Sequence, residues 1–140
     1  MKRLVLLGST GSIGTQVLEV VTGLRDHFEV IGLAAGQNVE RLAQQCRTFR
    51  PRAVSMAQAK AVAELRQRLP GLDCDFYHGP EGLQRLATLP EADLVVVAVS
   101  GIVGLQPLLA ALDAGKDVAT ANKEPLVAAG QLIMEQVRRR

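Results

Sequence analysis

Three glycines at three-residue intervals near the start of the chain limit what it can fold into. Gly8, Gly11 and Gly14 follow the apolar run at residues 4–7 and lead into a helical pattern. A strand, a glycine-rich turn and a helix in this order are typical of a βα unit whose helix begins at a bound phosphate. Gly8 allows a tight turn, Gly11 lets a phosphate approach the backbone, and Gly14 lets the helix pack against the strand. The alternative is a tight βα turn with no ligand.

The remainder of the chain continues this alternation of strand-like and helix-like runs. Hydrophobic residues make up 48% of the sequence and aromatic residues only 3%, which suits a buried parallel sheet built from aliphatic side chains. The alternation predicts right-handed crossovers and an α/β fold, Rossmann-like and doubly wound, with a mostly parallel sheet and helices on both faces. We place the most apolar run, residues 93–99, at the centre of the sheet. Strands are predicted at residues 3–7, 29–35, 53–56, 73–77, 93–99 and 117–121.

Composition excludes several classes of function. A formal net charge of +2 is too small to indicate a nucleic-acid partner, and no apolar run reaches the ~18 residues that span a bilayer. The start of the chain does not resemble a secretion signal. Cys46 and Cys74 match no metal-binding spacing, so we expect reduced thiols. We expect a cytoplasmic protein in which residues 1–140 form one domain.

The end of the second predicted strand bears on which nucleotide binds. NAD-specific folds usually carry a carboxylate here to bind the ribose 2′-hydroxyl, but this strand continues into Gly36, Gln37 and Asn38. Because a carboxylate would repel a 2′-phosphate, its absence permits NADP. Gln37 and Asn38 can donate hydrogen bonds, and Arg41 lies within reach of a phosphate. As alternatives, Asn38 is a plain N-cap and Arg41 a solvated charge.

Two further loops follow strands on the other side of the predicted crevice. Small residues at 100–104 leave space beyond the end of the strand. After the last strand come Asn122, Lys123 and Glu124, with Pro125 opening the next helix. This is a suitable place for groups that handle the nicotinamide and an anionic substrate, with Lys123 pairing with a substrate oxygen. Helix capping by Asn122 is the alternative.

Taken together, these motifs resemble the N-terminal NADPH-binding domain of the 1-deoxy-D-xylulose 5-phosphate reductoisomerases. The matching stretches are GSTGSIG at 8–14, AGQN at 35–38, AVSGIVGLQP at 98–107 and ANKEP at 121–125. The resemblance covers essentially the whole chain. The Asn-Lys-Glu stretch, at this distance from the glycine motif, is its most specific part.

The resemblance implies an oxidoreductase that isomerises 1-deoxy-D-xylulose 5-phosphate and reduces it to 2-C-methyl-D-erythritol 4-phosphate, in the non-mevalonate route to isoprenoids. It implies NADPH and a divalent metal, Mg²⁺ or Mn²⁺, as cofactors. By the same resemblance, Lys123 faces the substrate. The cofactor-binding residues that it implies are Thr10, Gly11, Ser12 and Ile13 at the pyrophosphate, Gly36, Gln37 and Asn38 around the adenosine ribose, and Asn122 and Glu124. Gln37 stands where the family often has a basic residue, so Arg41 is the alternative partner of the 2′-phosphate.

The resembled family continues into catalytic and C-terminal domains that these 140 residues do not contain. We therefore expect the metal ligands to lie outside this chain, and we expect the chain by itself to bind NADPH weakly and to catalyse nothing. The full-length protein is expected to be a homodimer that acts on a phosphorylated sugar, with no nucleic-acid or membrane partner.

Two alternative functions remain open on the sequence. One is another NADP-dependent aldehyde or semialdehyde dehydrogenase, which requires a nucleophilic cysteine, whereas Cys46 and Cys74 fall at unsuitable positions. The other is an NADP-binding redox sensor without catalysis, since the chain has no complete acid–base set. Its two histidines, His27 and His78, are expected on the surface, in loops away from the ligand-binding edge.

Overall fold

The strands form one six-stranded sheet in which every pairing is parallel. The structure, a computed structural model, describes residues 1–99 and 101–120. The strands are β1 (Lys2–Leu7), β2 (Phe28–Ala34), β3 (Ala53–Met56), β4 (Asp75–His78), β5 (Leu94–Val97) and β6 (Asp117–Thr120). The helices are α1 (Ser12–Gly23), α2 (Val39–Phe49), α3 (Ala59–Arg68), α4 (Gly79–Ala87) and α5 (Leu105–Asp113), with a 3₁₀ turn at Gly101–Gly104 before α5.

The order of the strands, β4-β3-β2-β1-β5-β6, confirms the predicted doubly wound sheet. The chain moves outward from β1 to β4 and then returns to place β5 on the other side of β1. This reversal opens a crevice between the ends of β1 and β5, where open α/β sheets bind their ligands. The prediction that β5 lies at the centre was wrong, because β1 and β2 hold the two central positions. β5 is nevertheless an interior strand with three of its four residues buried, which accounts for its apolar sequence.

The helices cover both faces of the sheet, as predicted, and divide the core in two. On one face, Leu18 of α1, Leu42 of α2 and Leu65 of α3 pack in a single cluster against β1, β2 and β3. On the other face, Leu86 of α4 and Leu108 of α5 pack against the opposite sides of β1 and β5. Each fully buried leucine contributes about 1.5–3 kcal/mol relative to an exposed one. The two cores fix the strand ends that carry the candidate site.

The predicted element boundaries agree with the structure to within about two residues at most positions. α4 begins at Gly79, and Pro80 is accommodated in its first turn. Gly115 follows α5 with a φ of 80°, as expected of a residue that ends a helix. The helix that Pro125 is predicted to open lies outside the described residues. Within residues 1–99 and 101–120, no helix is both long and apolar enough to cross a bilayer.

Both cysteines belong to the folded core rather than to a reactive surface. Cys46 lies on the inner face of α2 and is fully buried, and Cys74 is half-buried just before β4. Burial raises the pKa of the Cys46 thiol from 9.0 to about 12. Burial also raises the pKa of Cys74 to about 12, assisted by neighbouring negative charges that include Asp75. Both thiols are therefore neutral and weakly nucleophilic near pH 8.

The raised thiol pKa values predict a loss of stability at alkaline pH. Between pH 9 and pH 12 the unfolded chain releases thiol protons that the folded chain retains, so the free energy of unfolding falls as the pH rises. For Cys46 the loss is on the order of 1 kcal/mol by pH 10. We expect Cys46→Ala to be less stable at pH 7 but to show a shallower decline, as measured by urea unfolding at pH 7, 9 and 10. If the free energy of unfolding declined equally with pH in the two proteins, the raised pKa of Cys46 in the folded state would be contradicted.

Candidate functional site

The glycine turn (residues 8–14) lies at the carboxyl end of β1, and two of its glycines cannot be replaced without moving backbone. Gly8 has a φ of 93°, and a Cβ there would lie 2.7 Å from the carbonyl carbon of Ala98. A Cβ on Gly14 would collide with the carbonyl oxygen of Gly8 and lie 2.8 Å from the Cα of Ser9. The tight turn predicted at Gly8 is therefore confirmed. Gly14, however, packs against the turn itself rather than against the strand.

The first turn of α1 presents its main-chain amides outward. Gly11 precedes the helix with an extended backbone, and among the described residues no side chain caps it. Gly11, Ser12 and Ile13 are exposed, and Thr10 is half-buried. The first turn also holds no acidic residue, so nothing there offsets the positive end of the helix dipole. These four residues, predicted from sequence to line a pyrophosphate, lie together at an uncapped helix start, which is where proteins commonly bind anions.

Neighbouring elements hold the turn in place at Ser9. The amides of Gly8 and Ser9 both donate to the carbonyl oxygen of Ala34 at the end of β2, at 2.8 and 2.9 Å. The carbonyl oxygen of Ser9 accepts a hydrogen bond of 2.9 Å from Nε2 of Gln45 on α2. Ser9 is fully buried. Sequence reasoning missed Gln45, because a contact across 36 residues leaves no local signal.

The second group of predicted cofactor residues lies beside the first. Leu7 and Ala34 are register partners, so Gly36, Gln37 and Asn38 leave the sheet next to the glycine turn, and all three are exposed.

Asn38 acts as the predicted N-cap of α2. Its Oδ1 accepts a hydrogen bond of 3.0 Å from the amide of Arg41, which leaves its amide nitrogen to donate to a ligand. Arg41 borders a groove between α1 and α2 that Thr15 also lines. Arg41 and Thr15 belong to the first turns of their helices, so the cation stands near the glycine turn.

An apolar cleft of about 250 Å³ lies at the same edge of the sheet. The end of β2, the end of β3, the start of α4 and the residues after β5 enclose it. Its lining is aliphatic and open on one side, which suits the insertion of a flat, uncharged ring. This cleft was not predicted from the sequence. The small residues at the ends of the strands are the signal that could have revealed it. It is lined by Ala34, Ala35, Gly36, Met56, Ala57, Gly79, Pro80, Leu83, Val99 and Val103.

The third group of predicted residues, Asn122, Lys123 and Glu124, lies outside the described residues. The strand that precedes them, β6, pairs in parallel with β5 and ends at Thr120, at the same edge of the sheet as the glycine turn. In residues 1–99 and 101–120, the His, Cys, Asp and Glu side chains form no group of three that could hold a metal ion.

The geometry does not favour a dehydrogenase with a cysteine nucleophile. A nucleophilic thiol needs a lowered pKa and access to substrate, whereas Cys46 is enclosed in the core and the pKa values of both thiols are raised. Neither cysteine lines the apolar cleft. The expectation for His78 was partly wrong: the residue is exposed, but it is the last residue of β4 and precedes α4 at the ligand-binding edge.

Comparison with known proteins finds relatives of this chain among the reductoisomerases. Residues 4–130 match the family described as 1-deoxy-D-xylulose 5-phosphate reductoisomerase. The enzyme of that name from Pelotomaculum thermopropionicum is 53% identical over an alignment of 140 positions, which covers 99% of this chain and 36% of the relative. The chain thus spans about 36% of the length of the curated relatives that it matches.

Solved structures agree with the sequence comparison. The reductoisomerase from Zymomonas mobilis in complex with NADPH has a TM-score of 0.92 and 35% identity, over 99% of this chain and 36% of that one. A reductoisomerase in complex with NADPH, fosmidomycin and magnesium has a TM-score of 0.94 and 33% identity, over 99% of this chain and 34% of that one. This chain belongs to the 1-deoxy-D-xylulose 5-phosphate reductoisomerase family.

Proposed function

We propose that residues 1–140 are the NADPH-binding domain of an enzyme that isomerises and reduces 1-deoxy-D-xylulose 5-phosphate to 2-C-methyl-D-erythritol 4-phosphate. The observation that carries the proposal is the uncapped start of α1, held open beside the end of β2. The family match and the NADPH bound in two similar structures support the choice of cofactor. Activity, substrate and assembly belong to the whole protein, of which this chain matches about a third.

The dinucleotide is assigned along the carboxyl edge of the sheet. The amides of residues 10–13 hold the pyrophosphate, since they are the unpaired donors at a positive helix end. The adenine enters the apolar cleft next to Gly36. Gln37 and the free amide of Asn38 donate to the adenosine ribose and its 2′-phosphate, and Arg41 supplies the positive charge. The end of β2 brings no carboxylate to this position.

The catalytic end of the site combines residues from this chain with parts outside it. Asn122 and Glu124 orient the nicotinamide half of the cofactor, and Lys123 pairs with an oxygen anion of the phosphorylated sugar. NADPH supplies the hydride when it is bound. We assign the ligands of Mg²⁺ or Mn²⁺ to the protein beyond residue 140. The whole protein is proposed to be a cytoplasmic homodimer with no nucleic-acid or membrane partner.

The alternative functions receive less support. The cysteine geometry disfavours a semialdehyde dehydrogenase. A redox sensor without catalysis would share the cofactor site, but the family match extends through residue 130 and thus includes the Asn-Lys-Glu stretch, which a sensor does not need.

The protein should prefer NADPH to NADH. The absence of a carboxylate at the end of β2, together with the positive charge of Arg41, favours the 2′-phosphate. We expect the Kd for NADPH to be about tenfold lower than that for NADH, as measured by calorimetry at low and moderate salt. The preference should narrow as salt screens the charges. Equal affinities would contradict the assignment of the ribose site.

Gly11→Ala should separate cofactor binding from folding. A Cβ at residue 11 would make an ordinary contact of 3.8 Å with the Gly8 carbonyl oxygen, so the fold accepts it. The same methyl group would occupy space that a phosphate needs. We expect the free energy of unfolding to change by less than about 1 kcal/mol and the Kd for NADPH to rise about tenfold or more.

Gly23→Ala is the matched control at the other end of α1, where a Cβ would have nothing within 4 Å. Its Kd for NADPH should equal that of the wild type. If Gly11→Ala binds NADPH as tightly as Gly23→Ala does, the pyrophosphate lies elsewhere.

Lys123→Ala should impair turnover in the whole protein. Loss of a cation at the reacting oxygen removes transition-state stabilisation, and we expect kcat/KM for the sugar phosphate to fall roughly 100-fold. Lys60→Ala, which removes an exposed lysine on α3, is the control and should leave kcat/KM unchanged. Wild-type kcat and KM for Lys123→Ala would make this lysine an ordinary surface residue.

A further inference from the structure

We infer that Gln45 is a positioning residue that orients the Ser9–Thr10 peptide of the glycine turn toward a bound pyrophosphate. Gln45 lies on α2, one helix away from the turn, and its side chain is half-buried. Its Nε2 donates a hydrogen bond of 2.9 Å to the carbonyl oxygen of Ser9. The inference rests on the proposed NADPH site and adds a residue that does not itself touch the cofactor.

The hydrogen bond to Ser9 also fixes the direction of the Thr10 amide, because the two groups belong to one planar peptide. The described residues contain no cis peptide bond, and in a planar trans peptide the carbonyl of one residue and the amide of the next point in opposite directions. Because Gln45 draws the Ser9 carbonyl toward α2, the Thr10 amide points away from α2. Thr10 stands two residues before α1, so this amide belongs to the uncapped helix start where the proposed pyrophosphate lies.

Nothing else described for the Ser9–Thr10 peptide fixes its rotation as directly. The Ser9 amide is held by Ala34 at 2.9 Å, but that bond belongs to the preceding peptide. Ser9 is fully buried, so its carbonyl would have no water partner once the glutamine amide is removed. The carbonyl would then rotate toward solvent, and the Thr10 amide would leave the orientation that faces a phosphate.

In the Gln45 side chain, the amide nitrogen makes a hydrogen bond and the amide oxygen makes none among the described residues. Its Oε1 is buried and has no hydrogen-bond partner among the described residues. A buried unpaired oxygen is unfavourable, so the amide group gains little here apart from the bond to Ser9. A purely packing role would be filled equally well by an apolar side chain of the same length.

Two substitutions at Gln45 test the inference in the protein that contains this chain. Gln45→Met keeps the length of the side chain and removes the donor. Gln45→Glu keeps the shape and places acceptors against the Ser9 carbonyl. Gln44→Met is the matched control, since Gln44 is the preceding residue of α2 and is exposed. For each protein the Kd for NADPH and for NADH is measured by calorimetry, and the free energy of unfolding by urea titration.

We expect the Kd for NADPH to rise about tenfold in Gln45→Met and further in Gln45→Glu, with Gln44→Met at the wild-type value. Both dinucleotides contain the pyrophosphate, so the ratio of their affinities should stay constant. If the Kd of Gln45→Met for NADPH lay within twofold of the wild-type value, the inference would be overturned and the proposed function would stand. The inference would also be overturned if every variant that binds NADPH more weakly were destabilised in proportion, because the weaker binding would then reflect loss of the folded state. If the wild-type protein fails to bind NADPH, the proposed function falls as well.

Discussion

The carbonyl oxygen of Ala34 receives the amides of both Gly8 and Ser9, and the arrangement of the whole candidate site depends on that junction. It binds the start of the glycine turn to the end of β2, so that two loops far apart in the sequence share one edge of the sheet. Glycine makes this possible at residue 8, because it adopts the positive φ and has no side chain to collide with Ala98, the residue after β5. One residue thus sits at the meeting point of three strands, where the crevice opens.

The two helices that follow β1 and β2 use their amino termini in opposite ways. α2 begins with Asn38, whose oxygen accepts the amide of Arg41 and so satisfies one of the free donors. α1 begins with Gly11, which offers no such group. The difference separates a helix end that is closed for stability from one that is open for a ligand. In the proposed assignment, both ends contact the same cofactor, one through its backbone and the other through an amide side chain.

Local sequence patterns were sufficient for the elements and for the turns that begin α1 and α2. The spacing of Gly8, Gly11 and Gly14 predicts the turn, and Asn38 predicts the start of α2. They were not sufficient for β5, which lies one place from the centre because strand order depends on how crossovers pack and not on hydrophobicity. His78 was assigned to a loop, yet it ends β4, since the pairing with β3 extends through Met56.

By itself, the sequence determined the alternation of strands and helices, the glycine turn and the N-cap that follows β2, because each depends on contacts among near neighbours along the chain. The tertiary structure alone decided what surrounds them. The apolar cleft draws its lining from four separate segments, and Gln45 reaches Ser9 across 36 residues. Such contacts arise only when packing of the two cores brings distant segments together, and no local pattern records the distance or direction of a hydrogen bond between them.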